Sequence, residues 1–119
     1  MSDCLTIAVP KGYLLNETLE KLAGAGIVFS DDFQQSRRLF TFDTTNTVKL
    51  LVVRAWDVPA YVEQGAADLG VVGKDVLVEQ EPDVVSLKDL EFGGCKLVIA
   101  GVAGQRLEDL PHLCKVVTK

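Results

Sequence analysis

The chain has 119 residues, with 12 Lys and Arg against 17 Asp and Glu, for a formal net charge of −5 at pH 7. That balance, with the basic residues scattered singly or in pairs, excludes nucleic acid as a partner, because phosphate-backbone binding needs clustered cations to displace counterions. At 48% hydrophobic and 24% charged residues the composition is that of one folded domain, and no apolar run approaches the roughly 20 residues that cross a bilayer.

The amino terminus carries no basic region ahead of its short apolar run, so no secretory signal and a cytoplasmic location are expected. Cys4, Cys95 and Cys114 are odd in number and lack the close pairing of zinc or redox motifs, which predicts reduced thiols.

Residues 5–9 (LTIAV) read as a buried strand closed by Pro10-Lys11-Gly12. Leu15, Leu19, Leu22 and Ala23 then repeat at helical spacing, predicting a helix over 14–25 that stops at Gly24 and Gly26. Residues 38–42 and 48–53 flank the turn formers Asp43-Thr44-Thr45-Asn46 and predict a hairpin. Asp57 can cap a short helix with Pro59 in its first turn and Gly65 at its end. Residues 69–72 form another strand, and 74–80 supply one or two helical turns. Strands are further predicted at 84–87 and 96–101, and a single turn at 107–110. Val116 and Val117 begin a strand-like stub with no room to finish, which suggests truncation. This alternation implies an α/β fold with a mainly parallel sheet flanked by helices and with its loops gathered at the strand ends.

Three stretches could carry chemistry. Lys11 and the backbone donors around Gly12, between strand and helix, could face an anion, or the lysine could simply be solvated. Arg54 at a strand end suits bidentate phosphate recognition, as do Arg37 and Arg38, the alternative being surface pairing with carboxylates. The segment from Gly65 to Asp75 (GAADLGVVGKD) sets a strand between glycines. Gly70 and Gly73 would allow close backbone approach, with Asp68 and Lys74 beside them, or the segment is a tightly packed sheet corner. Trp56 and Tyr61 are read as packing residues rather than stacking platforms. His112 has no partner nearby, and neither Ser36 nor any Cys/His pair supports nucleophilic catalysis.

Taken together, LTIAVPKGYL (5–14), SRRL (36–39), LVVRAWDVPAY (51–61), EQGAADLGVVGKD (63–75) and CKLVIA (95–100) closely resemble the ATP phosphoribosyltransferase family. The resemblance implies a type II periplasmic-binding-protein-like architecture of two α/β lobes. Residues 1–102 would be the first catalytic lobe and 103–119 the start of a second, largely missing lobe. It implies a reaction that joins N1 of ATP to C1 of phosphoribosyl pyrophosphate, with pyrophosphate leaving and Mg²⁺ bound to the substrate phosphates, as the first step of histidine biosynthesis. It also implies a homo-oligomer and, in the short form that the amino-terminal pattern resembles, a histidyl-tRNA-synthetase-like regulatory subunit.

Carried over by position, the resemblance gives Arg37 and Arg54 contacts to substrate or leaving-group phosphates. It sets Lys11 and Gly12 at the cleft, with Asp68, Leu69, Gly73 and Lys74 around the nucleotide; no residue is assigned to a metal. Two departures stand out. Tyr13 occupies the position of the family's usual arginine in P-K-G-R-L, and the acidic residue followed by Ser-Thr-Gly that forms the family's phosphoribosyl pyrophosphate loop is absent. A fragment that cannot turn over by itself is therefore expected. The competing expectations are a non-catalytic cytosolic sensor of a small anion or nucleotide with the same architecture, and a purely structural lobe.

Overall fold

The computed structural model describes residues 4–29, 38–94 and 98–117, and within them four strands form one mixed sheet in the order β2-β3-β1-β4. β1 (Leu5–Pro10) is central, with β3 (Val48–Val53) parallel to it on one side and β4 (Leu69–Gly70) parallel on the other. β2 (Phe40–Phe42) runs antiparallel to β3 at the outer edge, giving the expected hairpin. Among the described residues, three α-helices follow the strands: α1 (Tyr13–Gly24), α2 (Val58–Glu63) and α3 (Lys74–Gln80).

The alternation of side chains along β1 divides the core between two faces. Ile7 and Val9 join Val48 and Leu50 against Leu15 of α1, with Leu19 and Leu22 packed alongside. Ala8 turns the other way and meets Val58 of α2 and Ala67. Here a small residue is needed, because α2 lies close to the sheet. A methyl group added at Gly70 would stand 2.6 Å from Val58 Cγ1 and 2.9 Å from Val62 Cγ2. Gly70 therefore serves helix–sheet packing, which is the packed-corner reading of its glycine-rich segment.

Two predicted strands are corrected. Residues 84–87 form no strand, and neither do residues 98–101 of the predicted 96–101, whose first two residues lie outside those described. Val85 is 80% exposed and Ile99 81%, so β-branched composition is present without a sheet neighbour to pair with. Val116 and Val117 are likewise exposed and not in a strand. The turn predicted at 107–110 is present as a 3₁₀ turn at Leu107–Asp109.

Candidate functional site at the carboxyl edge of the sheet

Parallel pairing decides which loops meet. Pro10 of β1 pairs with Val53 of β3, and Ala8 pairs with Gly70 of β4, so the chain leaves all three strands on the same edge of the sheet. Lys11 and Gly12 follow β1, Arg54 follows β3, and Gly73 and Lys74 follow β4. Lys11, Arg54 and Lys74 are all exposed there. The carboxyl edge of a parallel sheet is where open α/β folds bind their ligands.

Each of these loops has its own local cause. Gly12 adopts φ 100°, ψ −138° as the residue before α1, a conformation essentially confined to glycine, and its carbonyl accepts the Asn16 N–H at 3.1 Å. A side chain at 12 would meet open space, so the requirement is conformational, not steric. Arg54 leads into a 3₁₀ turn at Ala55–Asp57, closed by the Asp57 N–H donating to the Arg54 carbonyl at 2.9 Å. Pro59 lies in the first turn of α2 as predicted, but Asp57 makes no side-chain cap there. Gly73 precedes α3, and a side chain at 73 would run into the Asp75 carboxylate, which already occupies the front of that helix beside Lys74.

Two predicted residues lie elsewhere. Asp68 stands at the opposite end of β4, level with Thr6. Its N–H donates to the Thr6 carbonyl, and its carboxylate accepts the Thr6 N–H, both at 2.9 Å. Its observed work is to complete the β1–β4 pairing. Leu69 pairs with Ile7 in mid-strand and packs on the core below α1. Arg37 and Ser36 lie outside the described residues. Arg38, Leu39 and the β2 residues line a separate open groove of about 360 Å³ on the sheet's outer edge.

Three features of this edge were not foreseen. Trp56, expected to pack, is 56% exposed, and Tyr61 is exposed as well; Tyr13, at the start of α1, is 60% exposed. Gln80, at the end of α3, donates from Nε2 to the Trp56 carbonyl at 2.7 Å. Gly93 passes so near the start of α1 that a side chain there would meet Leu14 Cδ2 at 2.7 Å. Neither of the last two contacts has a local signature, since each joins segments far apart in sequence. For Trp56 the available signal was position: it follows a strand end by three residues, beyond the reach of the sheet core.

Among the described residues, no three His, Cys, Asp or Glu side chains come together in a way that could hold a metal ion. Among those residues, too, no helix is long and apolar enough to cross a membrane.

The family model described as HisG: ATP phosphoribosyltransferase matches residues 54–119. The chain is 47% identical over 119 residues to an ATP phosphoribosyltransferase of Microcystis aeruginosa, an alignment covering 97% of this chain and 55% of that protein. It is 45% identical to one from Synechocystis sp., covering 97% and 57%. The chain thus spans about half the length of these curated relatives. Among solved structures, the ATP phosphoribosyl transferase (HisG:HisZ) complex from Thermotoga maritima superposes with a TM-score of 0.55 at 31% identity, over 68% of this chain and 37% of that one.

Proposed function

Because this chain belongs to the ATP phosphoribosyltransferase family, we propose that it forms the first lobe of an enzyme that transfers the phosphoribosyl group of phosphoribosyl pyrophosphate to N1 of ATP. In this reading the reaction is the cytoplasmic first step of histidine biosynthesis. Residues 1–102 belong to the first lobe, and 103–119 open a second that supplies the rest of the cleft. The observation that carries the reading is the shared edge: three parallel strands deliver Lys11, Arg54 and Lys74 to one side of the sheet.

The chemistry suits a site without a nucleophilic side chain. Adenine N1 has a lone pair and carries no proton at neutral pH, so it attacks C1 directly while the bond from C1 to the pyrophosphate oxygen breaks. What the protein must supply is alignment of two polyanions and stabilisation of the leaving charge. Arg54 is suited to a bidentate phosphate contact, and Lys11 adds a point charge beside the backbone at Gly12. Lys74 contributes less, because Asp75 offsets its charge. Arg37 keeps the phosphate role that the family resemblance implies. Mg²⁺, arriving on the substrate phosphates, neutralises part of their charge. The Thermotoga maritima neighbour is a complex with HisZ, which supports a HisZ-like partner for the assembled protein, and the homo-oligomer stands on the family resemblance.

Calorimetric titration with ATP, AMP and phosphoribosyl pyrophosphate in the presence of Mg²⁺ tests the site. Saturable nucleotide binding, weakened at least about tenfold by Arg54→Ala, is the expected result. Binding indifferent to Arg54, or preference for small carboxylates over nucleotides, favours a sensor instead. A protein extended by the second half found in the relatives should release pyrophosphate from the two substrates, and Arg54→Ala should abolish that release.

A further inference from the structure

We infer that Trp56 is the stacking platform for the nucleotide's base, held in place by Gln80. The inference rests on the nucleotide reading above and names the part of the site that recognises the base. Large aromatic side chains are normally buried for their apolar area, and Trp56 leaves more than half of its surface in water. It does so two residues beyond Arg54, at the edge where the cations gather. Tyr13, the other strongly exposed aromatic at this edge, follows Lys11 and Gly12 in the neighbouring loop. Cations with aromatic faces alongside are what an aromatic base joined to phosphates requires: the charges take the phosphates, and the indole takes the flat, weakly hydrated ring.

The indole is also carried on a fixed backbone. The 3₁₀ turn that bears it is closed by the Asp57 N–H to Arg54 carbonyl bond, and the Trp56 carbonyl is held by Gln80 from another helix. A stacking residue on an anchored turn loses less freedom when its ligand arrives. Gln80 touches no ligand in this scheme; it is a positioning residue that acts through Trp56.

Trp56 is the sole tryptophan of the chain, so its emission reports on this turn alone. The test titrates the 119-residue chain with ATP, AMP and pyrophosphate, following tryptophan emission and heat together. ATP and AMP should quench Trp56 saturably, while pyrophosphate binds with little change in emission. Trp56→Ala should weaken ATP on the order of tenfold or more and leave pyrophosphate affinity unchanged, whereas Trp56→Phe should retain most of the ATP affinity. Gln80→Met, which keeps the length but loses the donor, should lower Trp56 anisotropy and weaken ATP severalfold without affecting pyrophosphate. Nucleotide heat without any Trp56 response, or equal losses for ATP and pyrophosphate in Trp56→Ala, overturns the platform while leaving the phosphate site standing. A folded chain that binds neither ligand overturns both readings.

Discussion

Thr18 lies inside α1 with its side chain buried, and its hydroxyl has no hydrogen-bond partner. A buried, unsatisfied hydroxyl costs on the order of 1–3 kcal/mol, so an apolar side chain of the same shape should do better. Thr18→Val is expected to raise stability by about 1 kcal/mol, or at least not lower it, as read from the urea midpoint at unchanged slope. A clear loss would show that the hydroxyl has a partner. Gly12 is the opposite case, a residue fixed by backbone conformation. Gly12→Ala would force a β-carbon into φ 100° and should cost on the order of 1–3 kcal/mol. The same change should loosen the entry to α1 and so weaken any anion bound by Lys11. At this scale the sequence was a fair guide to residue type and a poor one to partners. Lys11, Arg54 and Lys74 could be placed at strand ends from local pattern alone. Asp68 could not: a carboxylate before a strand looks the same whether or not it bonds the backbone of β1, and its bond to the Thr6 N–H is a tertiary contact with no local signature.

The β2–β3 hairpin shows how an element is held by one side chain. Asp43 is nearly fully buried and accepts hydrogen bonds from the Thr45 hydroxyl at 2.7 Å, the Thr47 N–H at 2.8 Å and the Val48 N–H at 3.0 Å. The Thr45 hydroxyl and then the Val48 N–H hold its carboxyl below the ordinary Asp value of 3.8, against the opposing effect of burial. With the folded value depressed, this stabilisation is complete above the ordinary carboxylate range and disappears as pH falls below about 4, through the folded value. Asp43→Asn should therefore unfold more easily at neutral pH and differ less from the parent in acid. Urea midpoints measured across that range check this, and parallel pH profiles would refute it. The hairpin was legible because its turn chemistry is local: Asp, Thr, Thr and Asn between two apolar runs leave few alternatives. The same reasoning failed at 84–87, where apolar, β-branched residues also occur but no strand lies alongside. Pattern records what a segment would bury, and pairing records whether a neighbour exists. Gly70 makes the point for helix packing. Gly70→Ala should cost on the order of 1–3 kcal/mol by pushing α2 off the sheet through Val58 and Val62.

For the whole molecule, the contrast is between the sheet with its helices and the chain that follows α3. A globular chain of this length has a radius of gyration of about 13–14 Å, and this one has 18.2 Å with extents of 62 × 32 × 25 Å. Among the described residues, those after α3 form no strand and no helix beyond the turn at Leu107–Asp109. Val98, Val102, Leu113 and Val117 there leave most of their surface in water. By contrast, β1, β3 and the helices share backbone pairing and a buried core. Opening of a segment becomes less costly as it loses buried apolar contacts and backbone bonds, so protease access should divide the chain along the same line. Brief trypsin treatment should cut first after Lys88, Arg106 and Lys115, while Lys49, in the middle of β3, is cut only on global unfolding. The product ending at Lys88 should keep its circular dichroism and its urea transition. If the second half found in the relatives is joined to the chain and packs on these exposed residues, cleavage at Arg106 and Lys115 should slow markedly, with Lys49 protected as before. Unchanged cleavage at those two sites would mean that the apolar residues after α3 stay uncovered even in the longer protein, and that residues 103–119 do not open a second lobe.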